Sequence, residues 1–370
     1  MSIPGAFAAI CRCQVERGNT LPAIQRGTSS LTTDSAGSTS TSASSTIVRP
    51  KRVVPTNCSY SSIQTLRGDI AARAHRDLTT KLRDSTFVGC ISQSRSLIQW
   101  GIELLMINHT ELGKELFYQL ALAHFGGAPR AKLGGGGINV KHAVEQAMQL
   151  EQDIASGVID ETKINTTPGV KDSTPGVTTK KPLIVSETNS DLATQIVELL
   201  TSKAEMLDEY FSIRFSRQKD PESGEEALML VGLPVLLQGH SPPPHALPLF
   251  LLRLATEVDW EQERPCFHDV CTELGNYYTE IPFDLDPGPS KVDDEASSDG
   301  DKSQSQTETD AEPEADKAMQ LIDEAAKHFV KHTLYPAISF LLVPPKDLAS
   351  NGTVVKLALL SSLYKVFERC

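Results

Sequence analysis

"FVGCISQSRSLIQWGIELLMINHTELGKELFYQLALAHF" (residues 87–125) decides the fold class. It holds three short apolar runs, "FVGCI" (87–91), "SLIQW" (96–100) and "IELLMIN" (102–108), with turn residues between them. Runs of this length and composition read as strands. The next stretch, "TELGKELFYQLALAHF" (110–125), changes period, with Leu112, Leu116, Phe117 and Leu120 at helical spacing. Consecutive strands followed by a helix predict α+β layers and exclude a doubly wound parallel sheet.

Working outward, "SSIQTLRGDIAARAHRDLTTKL" places Ile63, Leu66, Ile70, Ala74, Leu78 and Leu82 at helical spacing, so one helix is predicted upstream. Ser61 and Gln64 have the spacing of a capping box. Residues 1–57 are rich in Ser, Thr and Gly with little to bury, so they read as a disordered tail, with order beginning near Cys58. Within the tail, "RPKR" (49–52) is either a nuclear import signal or a chance basic cluster.

Downstream, "LGGGG" (133–137) lacks the Gly-Lys-Ser/Thr ending of a phosphate loop and reads as a connector. A low-complexity insert runs from about 156 to 190 and carries "TPGV" twice. "SDLATQIVELLTSKAEMLDEYF" is helical, with Leu192, Ile196, Leu199, Leu200, Leu207 and Tyr210 on one face. "YFSIRF" and "ALMLVGLPVLL" are strand candidates. "LPLFLLRLATEV" and "RPCFHDVCTELGNYY" read as helices, with Pro248 and Pro265 near their starts. An acidic insert follows at 286–316, then helical signals in "KAMQLIDEAAKHFVKH" and in "VVKLALLSSLYKVF".

Composition narrows the function. The net charge of -12 argues against a free-standing nucleic-acid binder, which needs a basic face. The longest apolar runs fall short of the roughly 20 residues that span a bilayer. Seven scattered cysteines fit a reducing compartment better than a disulfide framework.

Four constellations could carry chemistry. Cys266, His268 and Cys271 share a short helix without the spacing of a zinc knuckle; buried structural thiols account for them better than metal. His328 and His332 have zincin spacing, but no Glu follows the first. "TEVDWEQE" (256–263) gathers four acids around Trp260: a solvated helix end, or an acidic, aromatic patch for a basic peptide. The last residues, "LYKVFERC", end an aromatic-apolar segment on Cys370, whose thiolate and carboxylate both suit zinc but cannot fill a tetrahedral site alone. No nucleophile elbow, Walker motif or dinucleotide fingerprint is present.

"FVGCISQSRSLIQW", "ELFYQLALAHFG", "KAEMLDEYFS", "VGLPVLL", "LPLFLLRLATEVDW" and "LYKVFERC" together resemble the C-terminal domain of the eukaryotic MutL homologue 1 family of DNA mismatch repair, over most of 58–280 and again over 320–370. The resemblance implies a nuclear, non-catalytic scaffold subunit with a dimerisation subdomain and a second lobe. Its partner would be an endonuclease-bearing MutL paralogue. This chain has no DQHA-x2-E-x4-E motif of its own. Dimer contacts would come from the first sheet and apolar helix faces, with Leu112, Leu116, Phe117, Leu120 and Phe367 as candidates. Cys370 would complete the partner's zinc site in trans, the chain having no cofactor of its own. Glu263, with Trp260 and Glu257 nearby, would receive basic-aromatic motifs of other repair proteins, including an exonuclease; a MutS-type mismatch recognition complex is the other implied partner. Nothing in residues 1–57 matches the family's GHKL-type ATPase domain, so neither ATP hydrolysis nor much direct DNA binding is expected. Two alternatives stand beside the scaffold: a headless form that sequesters the partner, and a metal-dependent enzyme using Cys266, His268 and Cys271 or the His328/His332 pair.

Overall fold

The computed structural model describes residue 50 and residues 53–155, 189–219, 224, 226–280 and 323–360. Two antiparallel sheets lie at the ends of a helical layer, which makes the fold α+β.

The upstream helix is two helices, α1 (Ser61–Arg73) and α2 (Arg76–Arg83). The apolar period runs through the break, but Ala74 leaves the helix to bridge Pro345, and His75 begins a new one by accepting from the Leu78 amide through Nδ1 at 3.0 Å. The expected capping box does not form. Tyr60 is the N-cap, its side chain making no capping bond, and Gln64 instead donates to the Cys58 carbonyl at 3.0 Å.

β1 (Thr86–Cys90), β2 (Arg95–Trp100) and β3 (Glu103–Asn108) form the meander predicted from 87–108. α3 (His109–Ala123) follows directly, its N-cap Asn108 accepting from the Glu111 amide at 3.1 Å. The hairpin turn before β2 is tied to α3 by a buried polar pair: the Ser96 hydroxyl donates to His109 Nδ1, and His109 Nε2 donates to the Gln93 carbonyl, each at 2.8 Å. The sheet runs β1-β2-β3 and is completed on the β3 edge by residues 354–359.

β8 (Val354–Leu359) corrects the helix expected over "VVKLALLSSLYKVF". Paired Val354 and Val355 favour extended backbone, and β3 offers an open edge that takes Val354 opposite Ile107 and Val355 opposite Met106. Beyond residue 360 the same expectation, with Phe367 and Cys370, lies outside the described residues.

The second sheet is built on β7 (Glu226–Pro234). Gly232 pairs with Lys132 of β4 (Arg130–Lys132) and with Arg214 of β6 (Arg214–Lys219), so these strands flank it on opposite edges. β5 (Ile138–Asn139) continues the β4 edge. Between β4 and β5 the glycine run is a tight loop, not a loose connector. Gly137 sits at φ +101°, and a Cβ there would lie 2.6 Å from the Leu230 carbonyl oxygen.

Between the sheets stand α4 (Val140–Ala155), α5 (Asn189–Phe211), α6 (Leu247–Thr256) and α7 (Glu263–Thr279). α3 packs on β2 and α7, α7 on α6, α6 on α4, and α4 on β7, so one core joins both sheets. α3 and α7 approach closely because Gly275 presents no side chain; a Cβ there would lie 2.7 Å from the Lys114 carbonyl oxygen. The helical run from 323 passes through a π turn (Val330–Leu334) into α8 (Tyr335–Leu341), and α9 (Asp347–Ser350) precedes β8. Among the described residues no helix is long and apolar enough to cross a membrane.

The inserts expected at 156–190 and 286–316 lie outside the described residues, except 189 and 190, which open α5. Thr56, on the tail side of the boundary at Cys58, is held: its amide donates to the Ala123 carbonyl at 2.9 Å, and Arg67 Nη1 donates to its carbonyl at 2.8 Å. Arg67 also donates to the Leu122 carbonyl, capping α3.

Candidate partner-binding surfaces

The first sheet has two unlike faces. Ser96, Ile98, Leu105 and Ile107 point inward and are buried. On the other face, Leu97, Met106 and Val355 form one cross-strand row, and Gln99, Leu104 and Ala358 the next. The apolar members of both rows are only half-buried. Val88, Ile102 and Leu357, in or beside the same strands, are 54, 62 and 49 % exposed. A contiguous apolar sheet face open to water marks an interaction site. At one end of the face a polar pocket of about 260 Å³ is lined by Arg95, Asn108, Glu111 and Thr353.

Four of the residues expected at the dimer contact lie elsewhere. Leu112, Leu116, Phe117 and Leu120 are at most 3 % exposed and fill this chain's own core. α3 is covered by α7 on one side and by the first sheet on another, so its apolar stripe is already used. Helical periodicity located a buried face without saying what buries it.

The acidic segment is split. Glu263 opens α7, is exposed, and accepts a hydrogen bond from the Ser62 hydroxyl of α1. Glu257 lies just past the end of α6; the bond to Glu273 chiefly raises the pKa of Arg253, and burial chiefly raises that of Glu151, with the Glu257 charge a smaller push in the same direction on each. Trp260 packs against the core, its indole N–H buried without a hydrogen-bond partner among the described residues, and the Lys203 ammonium lies 5.8 Å from its ring centre. Glu263 and Glu257 therefore serve different neighbours. Beside Glu263, α1, α3 and α7 enclose a cleft of about 550 Å³. Leu66, Tyr118 and Pro265 supply its apolar part, and Asp69, Arg264 and His268 its polar part. Arg264 and Asp69 form an ion pair at 2.8 Å that joins α7 to α1.

The cysteine constellation does not converge on a metal site. Cys266 and Cys271 are buried, and burial pushes both thiols up, Cys266 to about 11. A thiol so placed resists becoming the thiolate a metal binds. His268 faces outward, with Nδ1 3.0 Å from Asp269 Oδ1. Among the described residues no three His, Cys, Asp or Glu side chains come together around a common point. His328 and His332 do approach each other, with ring centres 4.4 Å apart.

The first sheet was expected to carry dimer contacts, but which of its faces lies open was not read from the sequence. One signal was present: in "SLIQW" and "ELLMIN" apolar residues occupy both alternations, as in a strand covered on both sides.

Comparison with known proteins agrees with this architecture. Residues 59–370 match the family described as DNA mismatch repair protein Mlh1, C-terminus. The DNA mismatch repair protein Mlh1 of Dictyostelium discoideum is 33 % identical over 311 residues, covering 84 % of this chain and 29 % of that protein. MLH1 of Saccharomyces cerevisiae is 28 % identical over 320 residues, covering 85 % of this chain and 34 % of that protein. The chain thus spans about a third of the length of these relatives. With the family match running through nearly all of the described sheets and helices, the chain belongs to the Mlh1 C-terminal family of MutL-type mismatch repair proteins.

Proposed function

We propose that this chain is a non-catalytic dimerisation and scaffold subunit of a MutL-type heterodimer acting in nuclear mismatch repair, and that the outer face of the first sheet seats the partner. The observation that carries this is the Leu97–Met106–Val355 row, an apolar surface only half-buried by the described residues. A permanent interface buries on the order of 2,000 Å² or more and resembles a core cut in half, which is what such a face offers. The partner proposed is the C-terminal domain of an endonuclease-bearing MutL paralogue. Co-purification tests this. The native chain should form a stable complex, and Met106→Asp should abolish it while the chain stays folded. Undiminished capture by Met106→Asp would overturn the assignment of this face.

Two finer roles belong to the same reading. The Cys370 thiolate would complete a zinc site in the partner; Cys370→Ser should then lower zinc per complex without dissolving the complex, and unchanged zinc would refute the role. The cleft beside Glu263 would take a short basic-aromatic motif of a repair exonuclease. Its apolar floor and the Asp69 and Glu263 carboxylates support that choice. Glu263→Lys should weaken binding of such a peptide; equal affinity would move the site elsewhere.

A further inference from the structure

We propose that His328 and His332 form a two-imidazole binding site for one divalent transition-metal ion of the zinc, copper or nickel type. Both side chains are exposed on the 323–341 helical run, and their rings lie 4.4 Å apart with a tilt of 34°. Residues four apart share a helix face, so both rings reach the same point in the solvent. Neither ring is hydrogen-bonded to a described residue, which leaves nitrogen lone pairs for a ligand. The backbone beneath is held. Phe329, Val330 and Leu334 are buried, and the Phe329 ring stacks on His240 at 4.8 Å. The π turn begins at Val330, between the two histidines, and single π turns recur at functional sites.

Imidazole nitrogen suits zinc, copper and nickel and does not suit magnesium or calcium. Two nitrogens leave positions open, which water fills, or the carboxylate of Glu324 one turn before His328. Glu324 is exposed and makes no ion pair with a described residue, whereas Asp323 is already paired with Lys327 at 2.5 Å. The arrangement is a clip across the π turn and carries no catalytic water activated by a neighbouring base. It uses no residue of the outer sheet face.

The test is titration of the purified chain with nickel chloride by calorimetry, together with the melting temperature. The expected result is one saturable ion per chain and a higher melting temperature, because a ligand that binds only the folded state stabilises it. His328→Gln and His332→Gln should each lose that binding with an unchanged circular-dichroism spectrum; their exposed positions make both variants foldable. Binding of the same stoichiometry in either variant would place the metal on the cysteines or elsewhere and overturn the proposal. So would the absence of saturable binding by the native chain.

Discussion

β7 and the β2–β3 pair are written in nearly the same residues and meet opposite fates. In "EALMLVGLP" both alternations are apolar, and Leu228, Met229, Leu230 and Leu233 are all buried. α4 and α5 cover that sheet from within the chain. In "RSLIQW" and "ELLMIN" both alternations are also apolar, yet only Ser96, Ile98, Leu105 and Ile107 are buried. The difference lies in what the chain supplies as cover. One sheet is closed by its own helices, and the other keeps a face that the described residues leave half-open.

The largest expected effect tests the closed side. Leu230→Ala removes a fully buried side chain at the centre of the second sheet. It should cost about 4 kcal/mol, near the upper part of the range for Leu deletions at sites that cannot collapse. Urea unfolding measures it; a cost under about 1 kcal/mol would mean that β7 is not covered on both faces.

The layer between the sheets comes next. Arg253 of α6 donates to both carboxylate oxygens of Glu273 on α7, at 2.7 and 3.0 Å. The Glu273 side chain is only 6 % exposed. Arg253→Met strands a buried carboxylate and should cost about 3 kcal/mol, at the low end because Arg253 itself reaches solvent. If both sheets melt together in this variant, the shared core makes the molecule one cooperative unit. Two separate transitions would show that the closed and open sheets are independently stable.

His240 gives a pH-dependent version of the same test. It lies between Phe117 and Phe329, and its Nε2 donates to the Tyr278 carbonyl at 2.8 Å. Burial pushes its pKa down from 6.5 to about 4. A histidine with a depressed pKa stays neutral in the folded state while the unfolded chain takes up a proton. Its contribution is therefore intact above pH 6.5 and is lost progressively as pH falls toward 4, by about 3 kcal/mol in all. Buried His109, lowered by the same cause, acts in the same direction. His240→Phe should flatten this slope; an unchanged slope would assign the acid sensitivity to other groups.

How much of this was legible in the sequence follows from the same contrast. The β1–β2–β3 meander and α3 were legible because their periods are local properties. β8 was not, since Val-Val-Lys-Leu-Ala-Leu fits either a helix or a strand until β3 offers its edge. The break at Ala74 was hidden because the apolar period carries across it, and the bridge to Pro345 that makes it is a contact 271 residues away in sequence. For the surfaces, the acidic segment was visible as composition, but only packing shows that Glu257 and Glu263 serve different neighbours. Apolar residues on both alternations of β2 and β3 signalled two apolar faces, but which of them the chain covers depends on every element that packs against the sheet.

The smallest expected effect on the free chain is the sharpest test of the comparison. Leu97 sits in the outer row, opposite Met106, and is already partly in water. Leu97→Ser should therefore change the stability of the isolated chain by no more than about 0.5 kcal/mol, as substitutions away from buried features do. The same change made at Leu230 would unfold much of the population. In the presence of the partner the ranking should invert at Leu97, because truncating an anchor at the centre of an interface costs about 2 kcal/mol or more of binding. A large loss of stability without partner would mean that another part of this chain covers the face, and the supposed difference between the two sheets would disappear. A small loss together with weakened partner binding would place the missing half of that core on a second polypeptide.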